Sequence, residues 1–232
     1  MLTYYDFFGA INTAFISISV LGVISQLRTI WFRKDDETLK KAPTELLSLN
    51  QFTVSFLAYL SFFVYGYSIT PFNHYIVWPR LIASIIVLCI LFEIMRDRKT
   101  RSAKVSAAVC SLCLLFATLG LVFAGTVTDS TKLISTSIIL IVSALIAQGY
   151  YHQIKMIISS GRTGAVNLKM SQFILMMDVS TVAFALSMGI NQGWPLLVLA
   201  VTSGITKITI MYLFRWVKIS PTAKERRLLA GN

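Results

Sequence analysis

Residues 153–195 read QIKMIISSGRTGAVNLKMSQFILMMDVSTVAFALSMGINQGWP. In order, this is a helix end, a short basic glycine loop, an apolar helix with one carboxylate, a polar turn and then Trp-Pro. Asp178 falls at the middle of the apolar helix. An ionisable side chain at bilayer depth costs at least ~2.5 kcal/mol on insertion scales, so it ordinarily faces protein or water and marks a pathway. The same order of features recurs nearer the N-terminus, which makes the stretch an architectural unit rather than a local accident.

The surrounding chain sets the solvent. Its 232 residues are 56% hydrophobic and only 13% charged, with a mean hydropathy of +0.71, a composition that belongs in a bilayer. A spanning helix needs about 20 apolar residues, and such runs fall at 8–32, 46–69, 75–95, 105–127, 133–157, 168–188 and 194–217. The expectation is an all-α membrane protein of seven transmembrane helices with short loops, so any site must be built from helix side chains. The N-terminal MLTYYDFFGAINTAF has no Lys or Arg ahead of its apolar core and reads as a retained first helix.

Chemistry-bearing motifs are few. GRTGAV is too short for a phosphate cradle and lacks its strand context, and no nucleophile motif occurs. His74 and His152 lie on opposite sides of the membrane in this topology and do not form a ligand pair. Cys89, Cys110 and Cys113 all fall within helices and read as small core residues rather than a disulfide or metal framework. The sequence therefore predicts no enzyme, no cofactor and no metal.

The net charge of +11 is distributed along the membrane topology. Arg28, Arg33, Lys34, Lys40 and Lys41 flank the first loop, Arg96, Arg98, Lys99, Arg101 and Lys104 fill the third, and Lys155, Arg162 and Lys169 flank the fifth; Arg215, Lys218, Lys224, Arg226 and Arg227 complete the tail. With alternating helices all of these lie on one side. The other side has little beyond Lys132 and Arg80, the latter expected to snorkel outward from the first turn of its helix. By the positive-inside rule the N-terminus is outside or luminal and the tail, 218–232, cytoplasmic. The partner of this charge is the anionic lipid surface of the bilayer, not nucleic acid.

Two halves resemble one another. LSLNQF at 47–52 and LKMSQF at 168–173 share Leu, Gln and Phe in register; SQLRTI at 25–30 resembles HQIKMI at 152–157; Trp78-Pro79 is echoed by Trp194-Pro195. Three matches in one order across three consecutive helices argue for two copies of a three-helix unit, 8–95 and 133–217, with 105–127 as a linker helix. An odd linker sets the two units parallel. In the first helix Asn12, Ser19, Gly22 and Gln26 share one face. That face either points inward as a polar lining or supplies small residues for close packing.

With these residues the chain resembles the PQ-loop family, in the broader group that includes the SWEET sugar transporters, over 9–217. The resemblance rests on Gln26 and Gln153, the repeat and the three-one-three helix count. It implies alternating access between the two units, with the glutamine segments as hinges. The sequence departs from the family where Pro ordinarily precedes each glutamine: Ser25 and His152 stand there and keep the backbone donor that proline removes.

Amino-acid exporters of the family carry a coupled proton on a carboxylate in the helix after the second glutamine, and Asp178 is similar in spacing. The resemblance thus implies a proton-coupling role for Asp178. Ser171 and Thr181 share its helical face. Lys207 lies about ten residues, or ~15 Å, from the inner end of its helix, level with Asp178 if the two helices are antiparallel neighbours. Paired, the two form either an inert structural bridge or a binding site whose ion a ligand replaces. The candidate substrate residues are Asn12, Ser19, Tyr59, Ser171, Asp178, Thr181 and Lys207, with Tyr59 aligned to Ser180 in an aromatic-rich helix. Trp78 and Trp194 read as interface anchors or as caps on the cavity mouth. The expected function is transport of a small polar solute, of amino acid or sugar class, with protons as a second partner. The alternative is a non-transporting ligand-sensing or cargo receptor on the same fold. Either is compatible with a homo-oligomer.

Overall fold

The computed structural model describes residues 4–39, 41–68, 74–123 and 133–229, and among these every regular element is a helix: α1 (Tyr4–Asp35), α2 (Leu49–Ser68), α3 (His74–Arg98), α4 (Arg101–Phe123), α5 (Leu133–Ser160), α6 (Leu168–Ser187), α7 (Ile190–Ile219) and α8 (Pro221–Leu229). Five stretches are long and apolar enough to cross a bilayer: Asp6–Asp35, Val77–Arg98, Arg101–Val122, Leu168–Ser187 and Leu196–Ile219. The apolar part of α2, Leu49–Val64, is shorter. Together they make this a multi-pass helical membrane protein. The expected ends of the second and fourth spans, at 69 and 124–127, lie outside the described residues, as do Lys40 and Lys132.

Several boundaries differ from expectation for local reasons. α2 begins at Leu49 because Leu46 adopts a left-handed φ of 60° and Ser48 Oγ accepts from Gln51 N, which is helix N-capping. α6 begins in the same way, with Asn167 Oδ1 accepting from Met170 N at 3.1 Å. α7 starts after Gly189, at φ 82°, so Trp194 and Pro195 stand inside its first turns rather than at its start. Trp78 and Pro79 stand at the same depth within α3. The segment expected to be a plain tail forms α8, whose Arg226 and Arg227 donate to Ile158 O and Val217 O, both at 2.6 Å. These bonds satisfy carbonyls at the C-terminal ends of α5 and α7, where positive charge is also favoured by the helix dipole.

α1 and α5 run unbroken through Gln26 and Gln153, and α1 continues past its glutamine to Asp35 and α5 to Ser160. Both glutamines therefore stand inside their helices, and Gln153, read from the sequence as part of a helix end, lies about two turns before the end of α5. Ser25 and His152 each keep a backbone N–H, so the helical ladder is not interrupted where a proline would interrupt it.

α1 buries Ile16, Val20, Val23, Leu27 and Ile30, at spacings of three and four that keep one stripe turned inward. It packs on α6 and α3; α5 packs on α2 and α7; α2 packs on α3 and α6 on α7, while α4, among the described residues, touches only α2 and α3. If α1, α2 and α3 are exchanged for α5, α6 and α7, every contact among those six helices maps onto another. The outer face of α4, with Val109, Leu112, Phe116 and Leu119 exposed, suits lipid. Cys89, expected in the core, is exposed, whereas Cys110 is buried.

In lipid, helix association relies on close van der Waals approach, often at glycine. A β-carbon at Gly22 would lie 2.9 Å from Phe173 Cβ and 3.2 Å from Met170 Cα; one at Gly149 would lie 3.0 Å from Gln51 Cα. Each glycine is four residues before one of the two glutamines, at the α1–α6 and α5–α2 contacts. Gly22→Ala and Gly149→Ala are each expected to cost about 1–3 kcal/mol of overpacking, read as a lower melting temperature in detergent. At Gly204 the nearest atom to an added β-carbon is 3.7 Å away, so Gly204→Ala should melt within a degree or two of the wild type. Equal melting of all three variants would contradict the close approach.

Candidate functional site

On the side of the basic loops, each glutamine holds the start of a helix across the contact between α1 and α6 or between α5 and α2. Gln26 Nε2 donates to Ala165 O at 2.7 Å and its Oε1 accepts from Asn167 N at 2.8 Å. Gln153 Nε2 donates to Leu46 O at 2.6 Å and its Oε1 accepts from Ser48 N at 2.7 Å. Both side chains are buried, so each amide satisfies a donor and an acceptor that water does not reach. Ser25 and Thr29 add hydrogen bonds to Asn167. The ion pair Arg33–Glu45, at 3.0 Å, and Glu93 with Lys34 tie the same end.

These clamps set a register between the two halves. Ser48 stands opposite Asn167, so Gln51 corresponds to Met170 and Tyr59 to Asp178, each eleven residues past its cap. The alignment of Tyr59 with Ser180, and of Gln51 with Gln172, is therefore shifted by two residues. Gly22 lying against Met170 while Gly149 lies against Gln51 gives the same register independently.

The polar face of α6 points inward as its spacing implies: Ser171, Asp178, Ser180 and Thr181 are all buried. Asn12 Oδ1 accepts from Ser180 Oγ at 3.0 Å and from Thr181 Oγ1 at 2.9 Å. Asn12 and Thr181 thus meet as a bond between α1 and α6. Ser19 Oγ donates to Ile16 O within its own helix, at 2.7 Å.

Asp178 is 4% exposed. Ser203 of α7, Lys207 and Arg80 all lie near enough to act on its charge. One carboxylate oxygen, Oδ2, is buried with no hydrogen-bond partner among the described residues. Gly204 of α7 faces this side chain with ordinary van der Waals room, a β-carbon there standing 3.8 Å from Asp178 Cβ. Among the described residues no direct ion pair joins Lys207 to Asp178. Lys207 instead places Nζ 3.4 Å from the centroid of the Tyr150 ring. It borders a cavity of about 10 Å³, lined also by Gln26, Gln51, Tyr150, Asn167 and Ser171, which is room for about one water.

Arg80 departs most from expectation. It is buried rather than snorkelling outward, its guanidinium 5.4 Å from the Tyr59 ring centroid and 5.1 Å from that of Phe62, and its Nε has no hydrogen-bond partner among the described residues. A helix-end arginine normally escapes to the headgroups; the aromatic face of α2 holds this one by cation–π attraction instead. Sequence reasoning also missed Tyr150, Ser203 and Gly149. The spacing of Ser203 to Lys207, one turn within an apolar helix, and of Gly149 to Gln153, matching Gly22 to Gln26, carried those signals. Trp78 and Trp194 remain about half exposed. Compared with known proteins, the chain matches no family model, no curated protein and no solved structure.

Proposed function

We propose that this protein transports a small polar solute by alternating access between two parallel three-helix units, 8–95 and 133–217, joined by the helix at 105–127. The observation that carries the reading is Asp178: a buried carboxyl at mid-helix, flanked by two cations, with one oxygen left without a partner. Inert scaffolds rarely retain such a group in a membrane, because an unsatisfied buried ion is costly. The exchange symmetry of the helix contacts and the duplicated glutamine clamps support two units moving about a central site. In this reading Gln26 and Gln153 are the latches of the hinge on the basic side. Asp178 carries the coupled proton, while Lys207, Ser171 and Tyr59 line the solute's path.

A receptor that binds without flux is favoured by one observation, the unbroken passage of α1 and α5 through the glutamines, which makes both helices stiff where hinges were expected. Uptake of labelled solutes into proteoliposomes, with and without an inward proton gradient, separates the two: accumulation supports transport, and saturable binding without accumulation supports the receptor. Orientation has its own test. With the basic loops cytoplasmic, a cysteine introduced at the exposed Asn191 should react with an impermeant reagent from outside and one at the exposed Thr100 should not; the reverse pattern would invert the topology. Asn73, a second outer position, lies outside the described residues.

A further inference from the structure

Charges buried at the basic end of the bundle are compensated, Arg33 by Glu45 and Glu93 by Lys34 and Arg96. Those deeper inside make no direct ion pair among the described residues. Arg80, Asp178 and Lys207 are 9%, 4% and 2% exposed, and together they sum to one positive charge, or two if Asp178 holds a proton. Both cations rest on aromatic faces, Arg80 on Tyr59 and Phe62 and Lys207 on Tyr150. Ring faces hold a cation more weakly than a carboxylate does, and a planar guanidinium with an unbonded Nε is shaped to receive a carboxylate in two parallel bonds.

Their order along the bundle matters. Asp178 and Tyr59 mark the middle of α6 and α2; Phe62 lies one turn further toward the outer end, and Lys207 borders the cavity beside Gln26 and Ser171 on the basic side. Arg80 and Lys207 therefore stand on opposite sides of Asp178. With Asp178 ionised, a sugar would bring no charge to this site and a zwitterion would leave its excess unchanged, whereas a monoanion brings it to neutrality. A dianion would overcompensate beside Asp178, where like charge is penalised.

We propose that the solute is a small organic monoanion whose carboxylate is received first by Arg80 and then passed toward Lys207, with Asp178 excluding more highly charged anions. This rests on the transport reading for the direction of passage, but not for the binding itself. The test is thermal stabilisation of the purified protein by pyruvate, lactate and glutamate, set against alanine, glucose, arginine and succinate. The monoanions should raise the melting temperature in a saturable way and the others should not. Arg80→Lys keeps the charge and loses the fork, and Lys207→Met removes the inner cation; each should weaken the apparent Kd on the order of thirtyfold or more.

Stabilisation by glucose, alanine or arginine but not by the monoanions would overturn the proposal. So would no response to any of the seven solutes, or unchanged monoanion affinity in both variants that fold. Monoanion binding without uptake into proteoliposomes would retain this site and reject transport. Uptake of a neutral solute with no monoanion response would do the opposite.

Discussion

A protein with both Gln26 and Gln153 replaced by alanine is expected to lose most of its stability in detergent. Each amide serves two backbone groups: Gln26 bonds Ala165 O and Asn167 N, and Gln153 bonds Leu46 O and Ser48 N. A buried donor or acceptor deprived of its partner costs about 1–3 kcal/mol, so each single substitution should cost about 2–6 kcal/mol. The two sites share no partner, and their costs should approximately add. The total then rivals the roughly 5–15 kcal/mol that holds a typical folded protein together. Gln26→Glu is the sharper single change. It keeps size and can still accept from Asn167 N, but it sets a carboxylate against Ala165 O. Its melting temperature should fall at least as far as that of Gln26→Ala. Wild-type melting in both would show that water or a neighbouring group replaces the amide. If the clamps are also latches, a cysteine at Ser171 should become more reactive from the basic side in Gln153→Ala, and unchanged reactivity would confine the glutamines to a structural role.

The clamps show what sequence makes legible and what it does not. The two glutamines and the order of repeated features could be read directly, because they recur in the same order in both halves. Their mode of action could not, since each bonds the backbone of residues more than a hundred positions away, and side-chain identity says nothing about which carbonyls arrive there. The register was misread by two residues for a related reason. Matching Gln51 to Gln172 relies on identical letters, whereas Ser48 and Asn167 perform the same capping with different ones. Asp178, Ser171, Thr181 and Lys207 were found from the cost of placing polar groups in an apolar helix, and all four are buried as that cost requires. Arg80 was missed because that same rule assigns a helix-end arginine to the interface. Only the tertiary placement of Tyr59 and Phe62 provides an alternative.

Replacing Asp178 with Asn decides between chemistry and scaffold. If the carboxylate existed to neutralise Lys207, its loss would leave a buried cation uncompensated and cost about 3–5 kcal/mol. The geometry argues against that outcome. Lys207 lies on the Tyr150 ring, and among the described residues no direct pair joins it to Asp178. Asn keeps the size of Asp and an acceptor oxygen at this position, so Asp178→Asn should fold and melt within a few degrees of the wild type. It can no longer take up and release a proton, so under the proposed transport function uptake driven by a pH gradient should fall on the order of a hundredfold or more. Exchange of solute at equal pH, which requires no net proton movement, should persist. The exchanged variant, with Lys at position 178 and Asp at 207, supplies the control. A simple bridge would tolerate the reversal, whereas here it places an ammonium beside Arg80 and a carboxylate against the π-face of Tyr150, so both binding and stability should suffer. Gradient-driven uptake that survives in Asp178→Asn would remove the proton from Asp178. Wild-type stability in the exchanged variant would restore the bridge that the geometry excludes.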